Sequence, residues 1–306
     1  MLLPLPSLAL TVGPVKLEHS IDPGNSISGQ ILLLNDREET KTFYPVFEKY
    51  IEVDGEKKFL PGESEIASWF ELPSAVTLEP NEQKMIPFTI RIPEGAEPGG
   101  HFAVMWWSTA PPVKEPGSEV AIVSRVGILV YLRISGEIQE SGRLVSFGVS
   151  NQKRFLNYLP INFSVVFEST GNVHLKPQGE IKIKDIFGRT KEVLKVNEFG
   201  LSVLPQSKKT FVATWGSKEE SAGQKKSGFF SQLKNERQGF AFGLYKAELQ
   251  LEYGEDKKQS QEKFTFLVIP WRILIFVILI LALLSFGIVK GIKRYNQWII
   301  AKAKAR

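Results

Sequence analysis

The chain has 306 residues, no cysteine and a formal net charge of +5. Without cysteine it can form no disulfide, thiolate metal site or cysteine nucleophile, and its length is sufficient for two domains. The positive charge is local, because the six basic residues after position 289 contribute +6 and leave −1 for residues 1–289. The remainder lacks the clustered Lys and Arg of a nucleic-acid-binding face, so no nucleic-acid partner is expected.

The N-terminus begins with a short apolar run, residues 1–10, in which Ser7-Leu8-Ala9 has the small-x-small pattern found before secretory cleavage sites. A complete signal would also carry a basic region, and the first basic residue is Lys16. We interpret residues 1–10 as a truncated signal peptide. The alternative is an irregular first strand.

Residues 11–268 are dominated by the two-residue alternation of strands that bury one face. The clearest cases are residues 86–92, 126–134 and 245–253. Further strands are predicted at Gly29–Leu34, Thr42–Tyr50, Phe102–Ser108, Pro160–Phe167, Glu180–Lys184, Thr210–Trp215 and Lys263–Val268. Many short strands separated by Gly- and Pro-rich turns, with hardly any helical period, predict an all-β fold of sandwiches.

A weak internal repeat divides this region. Val76–Pro80 and Leu201–Pro205 each precede a strand that contains Lys and then Phe, and a glycine-led aromatic strand follows in both halves. The same order of parts, about 125 positions apart, predicts two tandem sandwiches at residues 11–136 and 137–268. One large sandwich is the alternative.

A polar segment, residues 217–238, interrupts the second half without any strand period. We predict an exposed loop, and its composition favours disorder. Phe229 and Phe230 form an aromatic pair on this loop, which makes them candidate contacts with a partner or with the membrane surface.

The C-terminal region contains a charge-free apolar stretch, residues 273–289, of about 17 residues, just long enough to cross a bilayer as a helix. Trp271 and Arg272 precede it, and Lys290, Lys293 and Arg294 follow it. Basic flanks stay in the cytoplasm. We therefore predict a single-pass plasma-membrane protein with a transmembrane helix at 269–289, a basic cytoplasmic tail at 290–306 that contacts anionic lipid, and the preceding domains outside the cell. A buried core helix is the alternative.

Signals of catalysis are weak. His19, His101 and His174 have no partner at metal-ligand spacing, and no nucleophile elbow or phosphate loop occurs. We predict a non-catalytic protein without a cofactor; a membrane-anchored hydrolase is a minor alternative.

One group of oxygen ligands lies near the predicted strand ends of the first half. Asp22, Asn25, Asn35 and Asp36 are of the type that binds calcium. The simpler interpretation is that they terminate strands, and no metal site is predicted.

Aromatic residues are the strongest candidates for ligand contacts. Trp106 and Trp107 are adjacent in one predicted strand, so one must fill the core while the other lies on the outer face. Trp69 and Phe70 lie in a loop-like stretch. Exposed aromatic side chains mark glycan or protein contacts, so Trp69, Phe70 and Trp107 are candidate ligand contacts. Core packing is the alternative for all three.

Several short motifs resemble those of the WxL-interacting surface proteins of Gram-positive bacteria. They are Ser20–Gly24 with the strand after it, Pro93–Phe102, Arg125–Val130, Ser169–Asn172, Leu204–Ser207 and Gly243–Tyr245. The resemblance implies an export signal, two immunoglobulin-like domains, one membrane helix and a basic tail, an order that covers the whole chain. In that family the first domain is associated with peptidoglycan and the second with host or protein partners.

The leading hypothesis is a non-catalytic, membrane-anchored cell-envelope protein that binds cell-wall glycan or a secreted surface protein. The alternative is a chaperone or tether that assembles surface polymers by strand-edge pairing, because sandwiches related to that family also act as pilus chaperones.

Overall fold

The computed structural model describes residues 10–53, 55–62, 64–111, 123–150, 153–216 and 235–304. These residues form two tandem β-sandwiches followed by one long helix, so the predicted all-β fold class is confirmed. The signal-peptide prediction lies outside the described residues except for Leu10, which is buried in the first core. Phe229 and Phe230 also lie outside them. Of the predicted polar loop, residues 235–238 are described and are helical.

The described part of the first half contains ten strands and the short helix Ile66–Trp69. The strands are β1 (Thr11–Gly13), β2 (Lys16–Ile21), β3 (Ser26–Leu34), β4 (Lys41–Val53), β5 (Glu56–Pro61), β6 (Phe70–Glu71), β7 (Val76–Leu78), β8 (Gln83–Arg91), β9 (Gly99–Ser108) and β10 (Arg125–Ile134).

These strands form two sheets that face each other. One has the order β1-β3-β8-β6, and the other has the order β2-β10-β9-β4-β5 with β7 beside β4. The chain crosses between the sheets at its start, because β1 pairs antiparallel with β3 whereas β2 pairs parallel with β10. In immunoglobulin lettering the orders are A-B-E-D and A′-G-F-C-C′, so the sandwich is immunoglobulin-like.

The described part of the second half repeats this arrangement with eight strands. They are β11 (Gly142–Val149), β12 (Phe155–Leu156), β13 (Ile161–Ser169), β14 (Gln178–Asp185), β15 (Thr190–Val196), β16 (Lys208–Trp215), β17 (Gly243–Tyr253) and β18 (Lys258–Val268). Their orders are β11-β13-β16 and β12-β18-β17-β14-β15. As in the first half, a short strand lies parallel to the last strand of the larger sheet.

Each half encloses its own hydrophobic cluster between its two sheets. Ile31 and Ile90 of one sheet meet Phe43 and Met105 of the other in the first half, and all four are buried. In the second half Phe163 and Phe266 pack with their ring centroids 5.5 Å apart. Alternation places these side chains inward, and their burial stabilises each sandwich.

The C-terminal helix extends over Trp271–Lys304. Within it, the 26 residues from Trp271 to Asn296 have a mean hydropathy of 2.9, and by length and composition they can cross a membrane once. We predicted that the helix ends near Val289, but it continues through the basic tail. No proline follows Pro270, and the Lys, Arg and Ala residues of the tail are good helix formers.

Candidate functional site

Three of the predicted ligand contacts lie inside the first sandwich. Trp107 is 0% exposed, and Trp69 and Phe70 are also buried. The Phe70 ring stacks on Phe88 with the centroids 5.6 Å apart. The expectation that these rings are exposed is wrong, and core packing, the alternative, describes them. The error at Trp107 arises because β9 has apolar residues at both odd and even positions. The alternation of side chains therefore does not show which tryptophan points inward.

The outward tryptophan is Trp106, and the prediction that the pair faces opposite ways is confirmed. Its Nε1 donates to Glu48 Oε2 at 2.7 Å, and the Arg125 guanidinium lies over its ring, 4.4 Å from the centroid. Arg125 also donates to Glu48 Oε1 at 2.8 Å, and Phe59 stands edge-on to the indole at 5.3 Å. The indole is therefore held in one orientation by a hydrogen bond, a cation–π contact and an aromatic contact.

Aromatic side chains continue from Trp106 along the outer face of this sheet. We call this surface the aromatic face, and its members are Tyr50, Phe59, Phe102, Trp106 and Tyr131. Burial raises the pKa values of Tyr50 and Tyr131, so both phenols stay neutral at physiological pH. Apolar residues on both faces of a strand indicate that both faces are covered.

The second half covers one end of the aromatic face, formed by Tyr50, Phe102 and Tyr131, which we call its lower part. We call this contact the junction. Leu204 is buried in one cluster with Tyr50 and Tyr131. The His174 ring stands edge-on to Phe102 at 5.7 Å and to Tyr131 at 5.3 Å. At the upper part of the face, Trp106 lies outside this cluster and Phe59 is only packed against it.

Two motifs that predicted only turns meet at the junction. The amide of Gly100 donates to the carbonyl of Asn172 at 2.8 Å, and the Asn172 side chain bonds the backbone of Glu137 and Gln139 at 2.8 Å each. At Gly171 a Cβ would collide with the carbonyl of Gln139. Glycine is required there because the two backbones approach too closely for a side chain.

A buried ion pair also crosses the junction. Lys209 Nζ of β16 lies 3.1 Å from Glu52 Oε1 of β4, and the Glu52 side chain is 1% exposed. The same ammonium group donates to the carbonyl of Ser202 at 2.7 Å. The pair links the two halves, because removal of one partner would leave the other charge at the junction without its counter-ion.

Glu18 of β2 gathers three cationic or polar groups at the edge of the junction. It accepts from Lys176 at 2.6 Å and from His174 at 2.8 Å, and it pairs with Lys16 at 2.7 Å. Partial burial would raise the pKa of Glu18, but hydrogen bonds from Lys16, Lys176 and His174 outweigh it and lower the pKa to about 2. Burial lowers the pKa of His174. We infer a neutral imidazole that donates from Nε2 to a charged carboxylate.

A cleft of about 710 Å³ opens beside this network, between the two halves. Its walls include Glu18, Arg133, Lys176 and Tyr253. Arg133 is already paired with Glu140 at 2.7 Å and with Glu255 at 3.1 Å. The cleft is polar, and both Arg133 and Lys176 are paired with carboxylates of its walls.

An open strand edge lies at the upper end of the aromatic face. β2 covers only Leu129–Ile134 of β10. The amide of Leu129 donates toward β2, to the carbonyl of Val15 at 3.1 Å, so odd-numbered residues of β10 turn their backbone groups to this side. Among the described residues, no strand pairs with Arg125 and Gly127 on this side. Unpaired backbone groups of this kind are where an extended chain can add to a sheet.

His101 and Asn35, one of the possible calcium ligands, have structural roles. Asn35 is buried, and its Nδ2 donates to the carbonyls of Glu39 at 2.9 Å and Glu79 at 3.0 Å. His101 is nearly buried, with Glu65 Oε1 2.6 Å from its Nδ1. In the part of the chain that the structure describes, no three His, Asp or Glu side chains are placed to hold a metal ion.

The predicted anchor flanks lie on the C-terminal helix. Trp271 and Arg272 begin it, with the Arg272 guanidinium 4.3 Å from the Trp271 ring centroid. Lys290, Lys293 and Arg294 lie further along it and are exposed. The basic flanks therefore follow the apolar stretch without a break in the helix.

One residue that the sequence did not reveal holds the start of this helix. Glu236 is fully buried, and its carboxylate accepts from the amides of Arg272 and Ile273 at 3.1 Å each. Arg272 Nη1 donates to the same carboxylate at 2.8 Å. A carboxylate at a helix N-terminus satisfies amides that lack a partner and interacts favourably with the helix dipole.

No family model matches the sequence, and no curated protein matches it. The resemblance to WxL-interacting proteins therefore stays a prediction. Among solved structures, the chain is similar to the class 5 fimbriae chaperone CfaA, at 12% identity and a TM-score of 0.39 over 85% of this chain and 100% of that one.

The E. coli chaperone DraB matches at 11% identity and a TM-score of 0.35, over 85% of this chain and 97% of that one. A chain of the Salmonella enterica complex of SafA pilin with the SafB chaperone matches at 12% identity and a TM-score of 0.34, with 85% and 97% covered. At these values the similarity carries no argument about function.

Proposed function

We propose that this chain is a membrane-anchored, non-catalytic binding protein that captures an extended segment of a protein partner at the open edge of β10. The proposal is carried by the free side of Arg125 and Gly127, with which no strand of the described ranges pairs, beside the fixed indole of Trp106. Backbone hydrogen bonds along the edge would supply affinity, and the neighbouring side chains would select the partner sequence. The rigid aromatic ring reduces the entropy lost on binding.

In this proposal the C-terminal helix is the anchor. Its apolar stretch can cross a bilayer once, and the basic residues from Lys290 onward favour a cytoplasmic position for the tail. The sandwiches then stand outside the cell membrane. The tail contacts anionic lipid head groups.

Glycan binding is the competing hypothesis. Its candidate aromatics Trp69 and Trp107 are buried, and the ring of Trp106 carries the Arg125 guanidinium. Sugar recognition needs an accessible aromatic ring. The arrangement at Trp106 therefore favours a protein partner.

The test is a capture experiment with the full chain in nanodiscs. Purified peptidoglycan and the proteins released from the cell surface are offered side by side. Arg125→Glu breaks the pair with Glu48 and places a negative charge beside the edge, so we expect it to weaken capture of a protein by about tenfold or more. The matched control is Arg143→Glu, which breaks the exposed pair of Arg143 with Glu168 on β11 of the second half.

Two results would contradict the proposal. One is capture of the same protein by Arg125→Glu at unchanged affinity while its circular dichroism spectrum is native. The other is retention on peptidoglycan with no protein captured, which would restore the glycan hypothesis.

A further inference from the structure

The end of the second sandwich next to the C-terminal helix is apolar and exposed. We call this group the apolar rim, and its members are 47% to 74% exposed: Phe155, Ile186, Phe187, Phe240, Phe242 and Leu244. Exposed apolar side chains scattered singly need no explanation, but a contiguous group marks a contact surface.

Strand register places the rim at one end of the sandwich. Phe155 and Leu244 both pair with Leu267, three residues before Pro270. Asp185 pairs with Tyr245, so Ile186 and Phe187 in the following turn lie at the level of the first residues of β17. Phe240 and Phe242 directly precede that strand. All six residues therefore lie at the end of the sandwich from which the helix leaves.

No spacer separates the sandwich from the helix. β18 ends at Val268 and the helix begins at Trp271. The amide of Ile269 donates to the carbonyl of Leu156 at 2.8 Å, and Glu236 caps the first amides of the helix. The rim is thus held at a fixed position relative to the start of the helix.

The length of the apolar stretch fixes where the membrane begins. A helix needs about 20 residues to cross the hydrocarbon core. Counted back from Lys290, the first charge after the stretch, about 20 residues end near Pro270. The outer boundary of the hydrocarbon then falls at the end of the sandwich itself. With the boundary there, the rim would lie within the head-group layer, a region that aromatic side chains favour.

We propose that the apolar rim rests on the lipid surface, so that the second sandwich contacts the bilayer beside its own helix; this rests on the membrane anchoring proposed above. The charges at this end fit an anionic surface. Arg189 lies on the same turn and Lys191 at the start of β15, and Asp185 is the acidic group that faces both, at 2.8 Å and 3.3 Å. Arg154 adds a further positive charge beside the Phe264 ring.

The experiment uses the absence of cysteine from the chain. Single variants of the full chain, Phe187→Cys and Phe242→Cys, carry a nitroxide label and are reconstituted in vesicles of phosphatidylcholine and phosphatidylglycerol. Phe199→Cys is the matched control, because Phe199 is 89% exposed at the opposite end of the same sandwich. Leu281→Cys reports on the helix itself. Collision with oxygen, which is concentrated in lipid, is compared with collision with a water-soluble nickel complex.

We expect the labels at positions 187, 242 and 281 to collide more with oxygen, and the label at 199 to collide more with nickel. If 281 is in lipid but 187 and 242 behave like 199, the rim proposal is overturned and the anchor stands. If 281 is also in water, the anchor and the rim are both overturned. Spin–spin broadening at 187 or 242 that disappears on dilution with unlabelled protein would assign the rim to a second copy of the chain, which also overturns the proposal.

Discussion

The larger sheets of the two sandwiches share the order of their five main strands, but their outer faces differ. In the first sandwich this face carries aromatic rings such as Phe102, Trp106 and Tyr131. In the second, the equivalent strands β14 and β17 carry a ladder of charges, in which Glu248 pairs with Lys184 at 2.6 Å and with Lys246 at 3.2 Å. One outer face is therefore built to be covered, and the other is built to be solvated.

The difference shows that the inward positions of the strands specify the fold, whereas the outward positions specify the contacts that each sheet makes. Inward side chains alternate in the same way in both halves and form the two cores. The outward positions are free of that constraint, and in the first half they form the junction and the surface beside the open edge. In the second half a group of six exposed apolar residues lies at the end next to the helix.

The largest effect is expected where the aromatic face meets the second half. Lys209→Ala leaves the Glu52 carboxylate buried without its cation, which should cost about 3–5 kcal/mol. Thermal unfolding of the full chain in detergent micelles measures the loss. Lys195→Ala is the matched control, because the Lys195–Glu198 pair is exposed and its removal should leave the melting temperature unchanged. Equal effects of both variants would show that the junction does not couple the halves.

A smaller effect is expected at the upper end of the aromatic face. Gly127→Ala adds a Cβ 2.7 Å from the Trp106 ring, so the ring must shift, at a cost of about 1–3 kcal/mol. Gly95→Ala adds a methyl group with no atom within 4 Å and is expected to be neutral. Tryptophan fluorescence and urea unfolding check both. An unchanged emission spectrum in Gly127→Ala would contradict the placement of the Trp106 ring directly over Gly127.

The second sandwich can be tested at its link to the helix. Glu236→Ala removes the acceptor of two helix amides and should cost about 1 kcal/mol. Hydrogen exchange of the full chain in nanodiscs should then be faster at Arg272 and Ile273, while amides of the first sandwich are unaffected. Protection that persists at both amides would mean that the cap does not hold the helix.

The smallest effect is expected at Glu18, and it depends on pH. Its pKa of about 2, against an ordinary value of 4.5, means that its stabilisation is complete above pH 4.5 and is lost as the pH falls toward 2. Glu18→Gln should lower stability near pH 7 by at most about 1 kcal/mol. The difference from the native chain should shrink below pH 4.5. A constant difference across that range, measured by thermal unfolding, would contradict the assignment.

Strands with a regular apolar residue at every second position were predictable. Residues 86–92, 126–134 and 245–253 fall on β8, β10 and β17 within two or three residues at each end. Strands rich in charge, such as β2 and β5, gave no periodic signal and were missed. β9 has apolar residues on both of its faces. The strand itself was predicted, but the tryptophan that points inward was assigned incorrectly.

The junction and the cap were not predictable from local pattern. Gly100 and Asn172 are far apart in the sequence, and each motif indicates only a turn when considered alone. Glu236 lies in a polar stretch where a carboxylate predicts a solvated surface, and only its proximity to Arg272 in the fold explains its burial. The two Gly-containing motifs indicate a contact between the halves only when they are considered together, and only the three-dimensional structure shows that they meet.

The register of the last two strands determines how the molecule would respond to a pulling force. β18 pairs with β17 along its full length, with 11 residues in each strand, and the helix continues from its C-terminal end. Tension between the first sandwich and the helix acts along these strands, so it shears all of their hydrogen bonds at once instead of opening them one after another. A tether attached in this way resists pulling more strongly than one attached through a short edge strand such as β12.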